Sequence, residues 1–346
     1  LLQDPTLSTA AVLINEFGEV GLDHHLLERI DETAVILKSG CVCCTIRGEL
    51  SEAIRDLHSR RARGLVPDFD RLVIESTGLA DPFPILSTIR ADPVLSHHFT
   101  LGSVVTLVDA VNAAGQIANR PESVKQIAAA DRIILTKTDL VSADAAAALR
   151  HRLSAMNPAA TVRDVHDAGW TASWLMADAT GFRELAAEDG PPGTAEAADG
   201  VADHDRHHGH DHRPSHGHDP NRHGEGVHAF AVTLDEPLDW TGFGIWLTML
   251  LNRHGGKVLR VKGILDLVGE ERPVAVHGVQ HLVHPPVHME RWPTEDRRSR
   301  IVFIVDGIAE ERIRASLAAF TGLTPRNASP GLATLDHRPF MARVAR

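Results

Sequence analysis

Arg71-Leu72-Val73-Ile74-Glu75-Ser76-Thr77-Gly78 begins with a short apolar run and ends in a carboxylate, two hydroxyls and a glycine. A brief continuous apolar run closed by turn residues is the pattern of a strand buried on both faces. Upstream, the same pattern recurs in Ala11-Val12-Leu13-Ile14 and Ala34-Val35-Ile36-Leu37. Downstream it recurs at residues 103–108 and in Arg132-Ile133-Ile134-Leu135. Helical spacing lies between these runs. Leu50, Ile54 and Leu57 share one face of residues 49–60, helices are expected at 84–89 and 124–130, and Leu149 and Leu153 share a face of 145–156. Apolar strands alternating with helices predict an α/β fold, a parallel sheet with helices on both faces. Ligands in such folds lie at the carboxyl ends of the strands.

The chain has 346 residues, which at about 100–200 residues per domain suggests two domains. Residues 184–226 are rich in Ala, Gly, Pro, Asp and His and hold few large apolar side chains. Such a stretch cannot bury enough surface to offset chain entropy and is expected to be a disordered linker. It divides a first domain, 1–183, from a small α+β domain, 227–346. In the second domain, strands are expected at 227–234, 257–268, 274–284 and 300–305, with helices at 240–251 and 310–320.

A net charge of −11, from 35 basic and 46 acidic residues, argues against a general nucleic-acid binder. Hydrophobic residues at 43% and charged residues at 23% fit a soluble globular protein. No apolar run approaches the ~18 residues of a membrane span, and no basic-then-apolar leader opens the chain. Tyr is absent, so no chemistry rests on a phenol. The only cysteines are Cys41, Cys43 and Cys44. They are too close to form a disulfide framework and fit a reducing, cytoplasmic setting with thiols kept for metal or catalysis.

Four segments follow expected strands of the first domain. Asn15-Glu16-Phe17-Gly18-Glu19 is a glycine-containing loop with two carboxylates, suited to a mobile segment near a cation. Read alone, it is equally an ordinary turn. Gly40-Cys41-Val42-Cys43-Cys44 brings three thiols within reach of one soft cation, Zn²⁺ or Cu⁺ rather than Mg²⁺. With no fourth Cys, the site is either completed by His or a carboxylate or left open for exchange. In the third segment, Glu75 at a strand end can hold a Mg²⁺-bound water. Gly78, three residues on, lets a backbone N–H approach a phosphate. In Thr136-Lys137-Thr138-Asp139, Asp139 can accept two hydrogen bonds from the edge of guanine and would fail with adenine. The Lys137 stem can cover the base.

Taken together, these segments resemble the CobW-like metallochaperone GTPases, P-loop proteins related to the urease and hydrogenase nickel-insertion GTPases. The resemblance spans nearly the whole chain. Asn15–Glu19 looks like switch I, Cys41-Val42-Cys43-Cys44 like the signature Cys-x-Cys-Cys metal motif, and the stretch from Glu75 to Pro82 like switch II. Thr136–Asp139 looks like the guanine motif, with Thr where many GTPases have Asn. Arg260-Val261-Lys262-Gly263 and His277-Gly278-Val279-Gln280 look like the family's C-terminal domain.

The resemblance implies a P-loop GTPase-like fold. It implies a GTP-dependent metallochaperone that holds Zn²⁺ on Cys41, Cys43 and Cys44, with Glu19 as a neighbour, and passes it to a metal-dependent client on GTP hydrolysis. Glu75 and Gly78 would sense Mg²⁺ and the γ-phosphate, and Thr136, Lys137 and Asp139 would bind the base. Co²⁺ delivery in cobalamin synthesis is the alternative within the family, and a non-enzymatic metal store the alternative outside it. A thiol-redox role is only partly met by Cys41 and Cys44. A homo-oligomer is left open.

The family's P-loop, Gly-x-x-Gly-x-Gly-Lys-Thr, does not occur in the sequence. Leu1-Leu2-Gln3-Asp4-Pro5 reads as a last helical turn stopped by proline. The expectation is that a strand, the loop and most of a helix, about 20 residues, precede it. The chain as written is then expected to hydrolyse GTP poorly, and the missing strand would leave two unpaired inner edges in the sheet. The linker carries His204, His207, His208, His210, His212, His216, His218 and His223, with His228 just beyond. This tract reads as a low-specificity metal reservoir. His97, His98, His151 and His166 read as structural, and His281, His284 and His288 as surface residues.

Overall fold

The computed structural model describes residues 4–16, 34–38, 46–167, 171–176 and 226–328. Glu19, Cys41, Cys43, Cys44 and linker residues 184–225 lie outside them, as does most of the expected terminal helical turn. Pro5 opens a short 3₁₀ helix, Pro5–Leu7.

Three strands, β1 (Ala10–Glu16), β2 (Ala34–Lys38) and β3 (Arg71–Ser76), pair in parallel in the order β2-β1-β3. Ile14 of β1 sits between Ile36 and Glu75. Another three, β4 (Val105–Asp109), β5 (Arg132–Thr136) and β6 (Thr161–Asp164), form a second parallel sheet in that order. The single sheet expected from the sequence is thus divided. Among the described strands, β3 and β4 each stand at the end of a sheet. Leu107, in the middle of β4, is 67% exposed, unusual for an apolar strand residue of a parallel sheet.

Helix α1 (Ile46–Ala62) buries Leu50, Ile54 and Leu57 with Leu13, Phe69 and Leu95, as its spacing predicts. Helices α2 (Pro82–Ala91) and α3 (Pro93–His98) follow in succession, each opened by an aspartate cap and a proline at its first position. After β4 come α4 (Ala113–Asn119) and α5 (Pro121–Ala129). Helix α6 (Ala143–Met156) is capped by Ser142 and packs Leu149 and Leu153 with Ile133 and Leu135. A short α7 (Ala172–Met176) closes this half.

The C-terminal domain is an antiparallel sheet of β7 (Val227–Leu234), β8 (Val258–Leu265), β9 (Val274–Val279), β10 (Leu282–Val283), β11 (Val287–His288), β12 (Ser299–Asp306) and β13 (Arg326–Ala328). Helices α8 (Trp240–His254) and α9 (Glu310–Thr321) pack with it. Its core gathers Phe243, Trp246, Leu247, Phe303 and Leu317. The buried Trp246 indole finds Ser316 Oγ at 3.0 Å. Residues 274–284, expected as one strand, are a hairpin, because Gln280 takes a left-handed φ of 50° between β9 and β10.

Helix α5 is where the halves meet. Lys262 reaches Ala159 O at 3.3 Å and Asp131 Oδ1 at 3.8 Å. Arg260 donates to Ala129 O and pairs with Asp131. Asp131 Oδ2 also accepts from Val104 N at 2.9 Å. Asn157, fully buried, donates to Ile127 O at 2.8 Å, Ala128 O at 3.3 Å and Ala130 O at 2.9 Å. Thr106 Oγ1 donates to Gln126 O at 2.9 Å. Five successive carbonyls at the end of α5 therefore receive donors from three side chains, where a helix ordinarily leaves its last carbonyls unsatisfied.

Candidate nucleotide and metal site

The apolar run of β3 stops at Glu75, which is exposed at the strand's carboxyl end. The chain then turns through Thr77-Gly78-Leu79-Ala80 to Asp81, the cap of α2. Asp81 Oδ1 accepts from Phe83 N at 3.0 Å, and Asp81 Oδ2 pairs with Lys125 Nζ of α5 at 2.6 Å. Ala80 N donates to Thr77 O at 3.0 Å. The Thr77 hydroxyl is buried and has no hydrogen-bond partner among the described residues. No described heavy atom lies within 4 Å of where a Cβ on Gly78 would sit. A loop tied from behind, with an orphaned hydroxyl and open space at its glycine, fits an oxygen-rich ligand in front.

The second cluster lies at the carboxyl ends of β4, β5 and β6. Thr136 closes β5, and its carbonyl accepts from Ala110 N at 2.9 Å. Lys137 adopts a left-handed φ of 59° and sends its ammonium to Asp109 Oδ2 at 2.7 Å. The Lys137 hydrogen bond, then that of Asn112, holds the Asp109 carboxyl down to about 2. Thr138 Oγ1 donates to Asp164 Oδ1 at 2.9 Å, fixing the turn to the end of β6. The Asp139 side chain is 60% exposed, with His166 Nε2 at 3.4 Å from Oδ1. Its carboxylate is available to a planar base.

Nothing local in the sequence marks Asp109, which orients Lys137 from 28 positions away, and His166, expected to be structural, faces Asp139. Lys125 and Gln126, which brace the Glu75–Asp81 loop, are likewise unmarked. His284, read as a surface residue, is half-buried. Its ring lies 6.1 Å from that of His277, and burial pushes its pKa down. Among the described residues no group of three or more His, Cys, Asp or Glu is arranged to hold a metal. The Cys motif and Glu19 lie outside them. No helix among the described residues is long and apolar enough to cross a membrane.

The family model for the CobW/HypB/UreG nucleotide-binding domain matches residues 1–164, and that for the cobalamin synthesis protein cobW C-terminal domain matches residues 227–321. The chain is 34% identical over 313 residues to the zinc chaperone YjiA of Escherichia coli (strain K12), covering 90% of this chain and 89% of that one. It is 27% identical over 349 residues to the zinc chaperone CobW of a Sinorhizobium species, covering 92% and 91%. The solved structure of Zn(II)-bound YjiA GTPase from E. coli superposes with a TM-score of 0.62 at 28% identity, covering 90% of this chain and 98% of that one. A Zn(II)-bound triple mutant of that GTPase, with one glutamate and two cysteines replaced by alanine, gives 0.64 at 30% identity, covering 90% of each. With its parallel sheets, P-loop GTPase-like fold and antiparallel C-terminal domain, the chain belongs to the CobW/HypB/UreG family, in the form that carries a CobW C-terminal domain.

Proposed function

We propose that this protein is a GTP-dependent metallochaperone that carries Zn²⁺ on Cys41, Cys43 and Cys44, with Glu19 nearby, and yields it to a metal-dependent client as GTP is hydrolysed. The observation that carries this reading is the Glu75–Asp81 loop, braced from behind, with an unpartnered Thr77 hydroxyl and open space at Gly78. The named relatives, two zinc chaperones, support zinc as the cargo. The division into 1–183, a His-rich tether at 184–226 and 227–346 belongs to the same proposal. There the tether's imidazoles hold spare metal for the Cys motif.

Asp139 accepts from N1–H and the 2-amino group of guanine, the Lys137 stem lies along the base, and Asp109 keeps that lysine in place. The Gly78 N–H would donate to the terminal phosphate. Glu75 would hold Mg²⁺ through a bound water. Mg²⁺, when bound, offsets charge on the phosphate oxygens. Hydrolysis removes the group that Gly78 senses, and the change in this loop and the Asn15–Glu19 loop loosens the hold on the cargo ion. Zinc needs deprotonated thiols, so its affinity falls in acid.

Turnover is measured on the full-length protein. GTP hydrolysis is followed with and without Zn²⁺, alongside metal content of the wild type and of Cys43→Ala. The expected result is hydrolysis that responds to Zn²⁺ and a clear loss of tight zinc in the variant. Unchanged stoichiometric zinc affinity in Cys43→Ala overturns the cargo assignment. Zinc held without any nucleotide turnover favours a store, and tighter retention of Co²⁺ than Zn²⁺ favours the cobalt role.

A further inference from the structure

Helix α5 meets the Glu75–Asp81 loop with two consecutive side chains. Gln126 Nε2 donates to Ala80 O at 2.8 Å and lies 3.4 Å from Thr77 O. These carbonyls flank the Gly78-Leu79 dipeptide. A primary amide has two N–H donors, so one side chain can serve both. Gln126's own carbonyl is tied to β4 through Thr106, and neighbouring Lys125 closes the loop's far end on Asp81. Gly78 would otherwise be the freest point of the loop, because glycine restricts its backbone least and nothing described crowds it. With Thr77 O held, the Thr77–Gly78 peptide plane, and with it the Gly78 N–H, cannot turn without breaking a hydrogen bond.

From this geometry we infer that Gln126 is a positioning residue. It fixes the direction of the Gly78 N–H so that the loop meets the terminal phosphate of a nucleoside triphosphate in a reactive arrangement. The assignment rests on the nucleotide-hydrolysis reading above. Gln126 itself touches no substrate. A group that only orients the loop toward the terminal phosphate affects the chemical step and leaves binding of the diphosphate alone.

The test uses the complete polypeptide with GTP and GDP. Gln126→Glu keeps the shape but removes the amide donors and sets a carboxylate against two carbonyl oxygens. Gln126→Met removes the donors without adding charge. Misplacing a reacting group by about 1 Å can cost 10²-fold, so kcat is expected to fall about 10- to 100-fold in both variants. KM for GTP and Kd for GDP should stay within about threefold. Gln126→Lys restores a donor and should recover most of the rate. A purely structural role would instead weaken GTP and GDP alike, lower the unfolding temperature in parallel and show no recovery in Gln126→Lys. Wild-type kcat in Gln126→Met overturns the assignment alone. Absence of hydrolysis by the unsubstituted protein overturns the nucleotide reading and this assignment with it.

Discussion

Arg260 of β8 and Asp131, immediately before β5, form an ion pair across the two halves of the molecule with only 4% and 7% of their side chains exposed. Burial by itself would raise the Asp131 carboxyl. The charges of Arg260, then Lys262, with the Val104 N–H, outweigh it and hold the group below its ordinary value. Breaking a buried pair costs about 3–5 kcal/mol when no other charge compensates. With Lys262 still beside Asp131, Arg260→Met is expected to lower the urea midpoint by up to that equivalent. Lys262→Met, whose ammonium stands farther away at 3.8 Å, should cost less. The reverse ranking would show that Lys262 is Asp131's principal partner.

Acid should loosen the same junction through His277. Burial first, then the charges of Lys262 and Arg260, push its pKa down to about 3, against the opposing pull of Asp131 and a further small push from His284. An unfolded chain takes up this proton near pH 6.5, whereas the folded one resists until about 3. The unfolded state therefore binds more protons in that window, and stability falls as pH drops through it, by up to about 1.4 kcal/mol per pH unit for each such proton. Chemical denaturation between pH 7 and pH 4 checks this. His277→Gln should flatten the slope, and an equal slope in the variant would assign it elsewhere.

Asn157 is expected to be among the costliest polar residues to truncate. Its amide serves Ile127 O, Ala128 O and Ala130 O, and its Oδ1 accepts from Ala159 N at 3.1 Å. In Asn157→Ala those carbonyls stay buried without their side-chain donor, at about 1–3 kcal/mol per unsatisfied group. Thermal unfolding should show a clear fall in Tm, whereas substitution of the exposed neighbour Arg152 should leave it nearly unchanged.

Base choice should follow Asp139. Asp139→Asn replaces one acceptor by a donor, which suits xanthine, with its carbonyl in place of the 2-amino group. Competition binding should show GTP weakened about tenfold or more relative to xanthosine triphosphate. An unchanged preference would remove Asp139 from base recognition.

Much of the fold could be read from local pattern. The apolar runs that became β1, β3, β4 and β5 are continuous because parallel strands are covered on both sides. Strand β6 was missed because Thr161-Val162-Arg163-Asp164 is polar and half-buried at the sheet end. The β9–β10 turn was missed because Gln280 and His281 carry no glycine or proline signal. The site divides in the same way. Glu75–Gly78 and Thr136–Asp139 are compact in sequence and sit where the strands end. Gln126, Asp109 and Asn157 act on partners 27 to 49 positions distant, and nothing local marks them. Arg260 and Lys262 stand in a segment that resembles the family's C-terminal domain, but nothing local marks their burial, which depends on the half that packs across β8.

The side-chain donors along the end of α5 have a mechanical consequence. A helix whose last turn is free can fray and dissipate a displacement, whereas this one is clamped and must tilt or slide as a rod. Lys125 and Gln126 grip the loop beyond β3, and within one further turn Ala129 is bolted to the antiparallel sheet through Arg260. A shift on either side of this turn is therefore felt on the other, and two regions far apart in sequence behave as one lever.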